Sequence, residues 1–362
     1  MKLFKCTNCS SAVYFENTQC MQCGSILGFE TDMLETVALS VENNGLFSVK
    51  GKNTSMQYRY CNNRAYDVCN WLVPATGNVG FCKACELNRI IPDLSRPAFM
   101  QHWRSIENAK HRLIYQLLRM PLPLVNKQQN EQMGLVFDFM ADEATDDSER
   151  VLTGHDNGVI TININEADDI EREMARKQMD EVYRTVLGHF RHETGHYYWD
   201  RLIENTDMLA PFKKLFGDDQ ADYEAALQKH YKDGAPANWN TNYISAYATM
   251  HPWEDWAETW AHYLHIIDTL ETAYSFGLSV HPIVAQTKRL HAEIKKDPYD
   301  IEDFEAIMDL WLPLTFAMNS LNRSMGLNDI YPFFISAPVK EKMKFIHKVV
   351  INAGVKVNAE LK

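Results

Sequence analysis

The chain has 362 residues, 46% of them hydrophobic and 23% charged, which excludes a largely disordered or collagen-like chain and predicts two or three globular domains. No apolar run approaches the ~18 residues of a membrane-spanning helix, and the N-terminus enters a cysteine motif directly, so we expect a cytoplasmic protein without a membrane partner. The net charge of −12 divides into +1 for residues 1–90 and −13 for residues 91–362, and neither part has the basic excess of a nucleic-acid-binding surface.

All eight cysteines lie between residues 6 and 85, in two groups of four. The first group consists of two C-x2-C pairs, a spacing that lets each pair hold one side of a tetrahedral Zn²⁺ ion. The second group is less regular, because only its last pair has that spacing. A disulfide framework is the alternative, and a reducing compartment argues against it. Because four thiolates leave no open position, we predict two structural zinc sites, formed by Cys6, Cys9, Cys20 and Cys23 and by Cys61, Cys69, Cys82 and Cys85.

The first 90 residues are predicted to contain short strands around these cysteines, with one zinc ribbon over residues 1–30. A linker follows at residues 91–97, and a helical pattern then extends from Pro97 to about Arg119, where a Pro-rich segment ends it.

Two strands are predicted next, at residues 135–139 and 159–165. In the second strand Ile160, Ile162 and Ile164 share one face, the alternation expected of a half-buried edge strand. Such an edge could pair with an extended peptide by strand addition, or it could be a plain sheet edge. From residue 168 onward the pattern is mostly helical.

The segment that indicates a chemistry contains the pattern H-E-x-x-H, as His192, Glu193 and His196. Residues four apart on a helix lie ~6 Å apart along its axis on nearly the same face, so both imidazoles can bind one metal ion. Glu193 can then reach a water on that ion, which completes the minimum set for metal-assisted hydrolysis. A solvated polar helix face is the alternative, although the aromatic and apolar flanks favour burial.

The third ligand must come from another segment. The elongated pattern H-E-x-x-H-x-x-G-x-x-H is absent, since position 199 is Trp and position 202 is Leu, and Asp200 lies ~12 Å from His192 along the helix. The best candidates follow Pro252, which marks a helix start.

Glu254 and Glu258 lie four apart on this second helix, beside a stripe formed by Trp253, Trp256 and Trp260 that is typical of core packing. One of the two glutamates can bind the metal, and the other can accept a hydrogen bond from a ligating imidazole. Alternatively, acidic residues in this first turn merely complement the helix dipole.

With these residues in place, the chain resembles the bacterial zinc-ribbon-bearing zinc-binding metallopeptidases, and its core resembles the gluzincins of the lethal-factor type. The resemblance extends over nearly the whole chain, and its matching stretches are residues 153–169, 183–200, 254–258, 319–327 and 331–333. In lethal-factor-type enzymes a tyrosine seven residues before the glutamate ligand stabilises the transition state. Tyr247 stands seven residues before Glu254, so the resemblance implies that Glu254 is the ligand, Tyr247 is catalytic and Glu258 is the hydrogen-bond partner of a ligand.

We therefore predict the α+β fold class. An N-terminal zinc-ribbon region over residues 1–90, small, β-rich and holding both four-cysteine zinc sites, precedes a mainly α-helical zincin-type metallopeptidase domain over residues 91–362. That domain is expected to contain a small sheet, an active-site helix at about 180–204 and a C-terminal helical part at about 270–362.

The predicted function is that of a zinc-dependent metallopeptidase with Glu193 as general base. It would use one catalytic zinc ion, held by His192, His196 and Glu254, and two structural zinc ions. We expect peptides or proteins as substrates and a protein partner for the zinc ribbons. The alternative is an interaction module in which the ribbons bind a protein or a nucleic acid and the H-E-x-x-H domain is inactive or is not a peptidase.

Overall fold

The computed structural model describes residues 2–52, 56–77, 79–120, 122–142, 151–168, 185–284 and 288–360. The chain forms two compact units. The first consists of Met1–Arg119 and Leu124–Arg172, and the second of Met120–Pro123 and Glu173–Lys362. The first unit thus joins the cysteine-rich region to the helix and the small sheet that follow it. The domain boundary predicted after residue 90 stays a prediction.

The cysteine-rich region of the first unit is built from antiparallel β-structure. A two-stranded ribbon precedes a five-stranded sheet whose strands are hydrogen-bonded in chain order. The bounds are β1 Phe4–Lys5 and β2 Ala12–Val13 in the ribbon, and β3 Ile26–Glu30, β4 Glu35–Val41, β5 Phe47–Val49, β6 Tyr58–Tyr60 and β7 Leu72–Pro74 in the sheet.

Each face of the five-stranded sheet is covered by its own apolar cluster, because successive side chains of a strand point to opposite faces. One cluster consists of Val37, Leu39, Val49, Tyr58 and Leu72. The other is aromatic and consists of Phe4, Phe15, Phe29, Trp71 and Tyr115, with ring centroids 4.6–6.1 Å apart among the closest pairs. Tyr115 belongs to the long helix α1, Pro97–Arg119, so this helix is anchored on the sheet.

A second sheet of the first unit follows the order β10-β11-β9-β8, in which β9 runs parallel to both of its neighbours. Its strands are β8 Asn88–Ile90, β9 Val136–Met140, β10 Gly154–Asp156 and β11 Val159–Asn163. The turn between β10 and β11 places Asn157 and Gly158 at φ values of 48° and 81°, the left-handed conformations that a tight hairpin requires.

The edge position predicted for residues 159–165 is wrong. Residues 159–163 form β11, which lies between β10 and β9, because the hairpin turn folds β10 back along the outer side of β11. Strand addition is therefore blocked at Val159–Thr161, where β10 already pairs. The alternation itself was predicted correctly, since Ile160, Ile162 and Ile164 are all fully buried.

The second unit is largely helical. Within the described residues its helices are α2 Val186–Leu202, α3 Leu209–Phe216, α4 Tyr223–Asp233, α5 Pro252–Ser275, α6 Phe304–Ser324 and α7 Ala337–Glu360. Two short strands, β12 Ser279–Val280 and β13 Ala292–Glu293, pair antiparallel. Small sheets with cysteine clusters followed by a helical part confirm the predicted α+β class. None of the helices in the described ranges has both the length and the apolar composition needed to cross a bilayer.

The β10–β11 turn provides a test of the fold. Alanine at Gly158 would combine a positive φ with an overlap between its Cβ and the carbonyl oxygen of Gly134, so we expect a loss of about 2–4 kcal/mol of unfolding free energy. Gly45 has a similar φ of 78° but open space around it, and Gly45→Ala should cost only about 1 kcal/mol. Denaturant unfolding of both variants measures the difference. Equal losses would contradict the packing of this turn.

Candidate functional site

The four cysteines of the first group lie at the tip of the β1–β2 ribbon and in the loop before β3. Two tight turns form there, in which Ser10 N–H donates to the carbonyl oxygen of Cys6 and Gly24 N–H to that of Cys20. The sulfur atoms of Cys6 and Cys23 are 3.8 Å apart, and those of Cys9 and Cys20 are 3.6 Å apart. A zinc tetrahedron with bonds near ~2.3 Å has edges of roughly 3.8 Å, so the set has the right size for zinc.

The four cysteines of the second group converge in the same way although they are spread over 25 positions. Cys61 and Cys69 lie between β6 and β7, Cys82 and Cys85 precede β8, and all four are buried. The sulfurs of Cys69 and Cys82 are 3.7 Å apart. In each group the four sulfur atoms lie within 4.8 Å of one another. The structure thus brings together both predicted sets of cysteines.

Helix α2 carries His192, Glu193 and His196. Its N-cap is Thr185, whose hydroxyl oxygen accepts a hydrogen bond of 2.9 Å from the N–H of Gly188. The helix was predicted over about 180–204 and is observed over Val186–Leu202. Residues 169–184, which include part of the resemblance, lie outside the described residues.

Helix α5 begins where Pro252 predicts a start, and His251 is its N-cap. The Nδ1 atom of His251 accepts from the N–H of Trp253 at 3.1 Å, while its Nε2–H donates to the carbonyl oxygen of Ala221 at 3.1 Å. The two hydrogen bonds of the His251 ring therefore fix the first turn of α5, in which Glu254 lies. Asp255 instead accepts a hydrogen bond of 2.6 Å from the buried Lys342 ammonium, which gives it a structural role.

The imidazoles of α2 and a carboxylate of α5 meet at one point. The Nε2 atoms of His192 and His196 are 3.1 Å apart, and the Oε2 atom of Glu254 lies 3.0 Å from the first and 3.4 Å from the second. The triangle is nearly equilateral. Ligands at ~2.0–2.1 Å from a tetrahedral zinc ion are roughly 3.3 Å apart, so these three atoms have the spacing of zinc ligands.

The hydrogen bonds around the triangle orient its ligand atoms. The Nδ1–H of His192 donates to Oε1 of Glu258 at 2.7 Å, and the hydroxyl of Tyr223 donates to Oε1 of Glu254 at 2.8 Å. Oε2 of Glu254 is buried and accepts no hydrogen bond from the part of the chain that the structure describes. A buried carboxylate oxygen is stabilised by positive charge, and a metal ion between it and the two imidazole nitrogens would supply that charge. The donor set therefore fits a bound zinc ion.

Burial and neighbouring charges shift the pKa values of the ionisable groups at this site. Although burial opposes the charged imidazole, the carboxylates of Glu254 and Glu258 raise the pKa of His192 well above its usual value. Burial likewise opposes ionisation of Glu258, but its hydrogen bond with His192 lowers the pKa of this carboxyl to about 2. Burial raises the pKa of Glu193, partly offset by the two histidines.

The close packing of α2 against α5 brings these residues together. A Cβ atom on Gly195 would lie only 2.9 Å from Cα of Ala257, so the two backbones approach as closely as a glycine allows. The indole N–H of Trp256 donates to the carbonyl oxygen of Gly195 at 2.8 Å, which ties the helices together. Trp256 and Trp260 are core residues as predicted, whereas Trp253 stacks on His196 with the ring centroids 3.6 Å apart.

Tyr247 lies in a short 3₁₀ helix before α5, with its ring centroid 6.1 Å from that of His192. Burial raises its pKa strongly, so the phenol keeps its proton. The tyrosine that contacts Glu254 directly is Tyr223 at the start of α4, a residue that sequence reasoning missed. It lies 31 positions upstream of Glu254, and no local spacing in the sequence indicates the contact.

Comparisons with family models and with known sequences relate the chain to other proteins. A family model described as "Putative zinc-binding metallo-peptidase" matches residues 99–349, and a zinc-ribbon domain model matches residues 3–96. An uncharacterised protein of Mycobacterium bovis and two from strains of Mycobacterium tuberculosis are each 42% identical to the chain over 351 residues, which cover 97% of this chain and 95% of each relative. No solved structure matches the chain.

The chain belongs to this zinc-binding metallopeptidase family and carries a zinc-ribbon domain at its N-terminal side. The family inferred from the sequence is thereby confirmed. Zinc as the metal is supported by both family descriptions and by the two clusters of cysteines.

The contact between α2 and α5 can be tested at Gly195. In an exposed helix Gly→Ala stabilises by about 1 kcal/mol, but here the added methyl group meets the α5 backbone, so Gly195→Ala should cost about 1–3 kcal/mol. The helices should also separate and weaken zinc binding at the triangle. Thermal unfolding and metal content measure the two effects, and Gly195→Val should be worse than Gly195→Ala. A neutral or stabilising Gly195→Ala would contradict the close approach.

Proposed function

We propose that this protein is a zinc-dependent metallopeptidase of the gluzincin type, with an H-E-x-x-H helix. The single observation that carries the proposal is the triangle formed by Nε2 of His192, Nε2 of His196 and Oε2 of Glu254, whose edges of 3.0–3.4 Å match a zinc ligand set. Three protein ligands leave one position open, which is the mark of a catalytic site rather than a structural one.

Two further zinc ions are proposed for the cysteine groups. Each group supplies four sulfur atoms within 4.8 Å of one another, so each site is closed and structural. None of the eight cysteines forms a disulfide, which suits a reducing compartment, and on that ground we propose a cytoplasmic protein.

The side chains around the triangle divide the catalytic work. A zinc ion bound there would supply Lewis acidity and would lower the pKa of the attacking water toward ~7. Glu193, next to His192 on α2, accepts the proton of the attacking water on its carboxylate and later passes it to the leaving amine. Its buried position raises the pKa of the carboxyl, which favours holding that proton between the two steps.

Tyr247 and Glu258 assist from either side. Tyr247 keeps its phenolic proton and donates it in a hydrogen bond to the oxyanion that develops on the scissile carbonyl. Glu258 accepts a hydrogen bond from Nδ1–H of His192. This bond fixes the orientation of the ring, so that Nε2 faces the other two atoms of the triangle. The substrates are peptides or proteins, and we propose that the zinc ribbons bind a protein partner.

The role of the base is tested with Glu193→Gln. The amide has the same shape but cannot accept the proton, so hydrolysis of a broad peptide library should fall by about 10²–10⁴-fold while zinc stays bound. Glu204→Gln, at an exposed glutamate just after α2, is the matched control and should leave hydrolysis unchanged. If Glu193→Gln cleaves as fast as the unchanged protein, Glu193 is not the base. The peptidase proposal fails if the unchanged protein shows no cleavage of the library that a metal chelator inhibits.

Tyr223 is proposed as a positioning residue for Glu254. Tyr223→Phe removes the hydrogen bond to Oε1 of Glu254 and should weaken zinc binding at the triangle by about 10–100-fold. The control is Tyr231→Phe on the same helix, where the side chain is 68% exposed. Competition with a chromophoric chelator measures the affinity and does not require activity. Equal affinities for the two variants would contradict this role.

A further inference from the structure

Helix α1 in the first unit has a buried face that is polar. Glu107, Lys110 and His111 occupy positions i, i+3 and i+4, and the exposed fractions of their side chains are 0%, 0% and 5%. Burying an ion pair is costly, and apolar side chains of the same volume often serve stability as well or better. The polar character of this face therefore calls for an explanation beyond core packing.

One part of this face holds the start of β8. Oε1 of Glu107 accepts hydrogen bonds from Nδ2 of Asn88 at 2.6 Å, from the indole of Trp103 at 3.2 Å and from Nζ of Lys110 at 2.9 Å. Lys110 also donates to the side-chain oxygen of Asn88. Asn88 is the first residue of β8 and lies only three residues after Cys85. Glu107 and Lys110 of α1 thus hold the side chain of Asn88, which lies immediately beyond the last cysteine of the second group.

The other part of this face reaches the cysteine itself. Nδ1 of His111 lies 2.6 Å from the carbonyl oxygen of Glu107, and Nε2 lies 3.6 Å from Sγ of Cys85. A carbonyl oxygen only accepts, so Nδ1–H donates to it and holds the ring in this orientation. A thiolate also only accepts, so Nε2–H is the donor toward Cys85. The ring packs against Trp71, with centroids 5.2 Å apart, and is itself buried.

Two other sulfur atoms of the second group accept hydrogen bonds from backbone N–H groups. The N–H of Trp71 donates to Cys69, and the N–H of Cys82 donates to Cys61, both at 3.4 Å. Cys85 is instead reached by a side chain from a separate helix. Four thiolates around one divalent ion leave a net negative charge in a buried place, and N–H donors to sulfur stabilise such a site.

We propose that His111 is a hydrogen-bond partner of Cys85 in the second zinc site, and that this hydrogen bond itself slows the loss of the zinc ion. The four cysteines already complete a tetrahedron, so His111 acts on the sulfur and not on the metal. The inference is independent of any peptidase activity, because it concerns only the first unit.

The experiment follows zinc release from the full-length protein into excess chelator. His111→Leu removes the donor and should speed release of one zinc equivalent by about 10–100-fold. His111→Gln keeps an N–H of similar reach and should recover much of the slow release. Cys6→Ser and Cys69→Ser each weaken one group and thereby assign the phases of release to the first and second sites.

Two controls keep the test decisive. Leu117→Ala creates a cavity under α1 at a fully buried residue and should lower the unfolding temperature without speeding release from the second site. If Leu117→Ala speeds release as much as His111→Leu, general loosening of α1 explains the effect and the proposal fails. It also fails if His111→Leu releases zinc at the unchanged rate.

Cobalt substitution separates the proposed role from direct ligation. With Co²⁺ in the second site, the absorption bands of a four-sulfur tetrahedron should persist in His111→Leu, with only a small shift of the sulfur-to-metal band. A change from a mixed sulfur and nitrogen spectrum in the unchanged protein to another ligand set in the variant would show His111 bound to the metal and would overturn the assignment.

Discussion

The closest approach of α2 and α5 is the constraint on which the candidate metal centre depends. Two histidines on one helix can face a common point by local geometry alone, but the third atom of the triangle comes from a separate helix much further along the chain. Gly195 and Ala257 let the backbones meet, and the Trp256 indole fixes them there. Because packed helices do not deform continuously, Oε2 of Glu254 is held within 3.4 Å of both rings.

The features predicted correctly from the sequence are those that depend on short spacings. The C-x2-C pairs and the i, i+4 histidines each reflect a local geometry, and Pro252 marked the start of α5 at the residue where it begins. The selection of Glu254 required more, namely the resemblance that relates it to Tyr247. The catalytic and ligand roles of these residues remain predictions, although the structure brings the three triangle atoms together.

The features that sequence reasoning missed arise from tertiary contacts. Tyr223 reaches Glu254 from a helix that has no buried residue of its own and shows no pattern pointing to the site. The edge strand at residues 159–165 was predicted wrongly because its partner β10 is only three residues long, Gly-His-Asp, and has little β propensity. In that hairpin His155 accepts a hydrogen bond from the N–H of Gly158, so this histidine stabilises a turn.

The hydrogen bond from Tyr223 has a consequence for how Glu254 can hold an ion. A carboxylate may grip a metal with one oxygen or with both, and the second mode fills an additional coordination position. The phenol donates to Oε1, while Oε2 is the oxygen that lies within 3.4 Å of both imidazole nitrogens. If Glu254 binds the proposed zinc ion through Oε2 alone, the protein would supply three donors, and a small substrate group could then bind the ion without displacing a side chain.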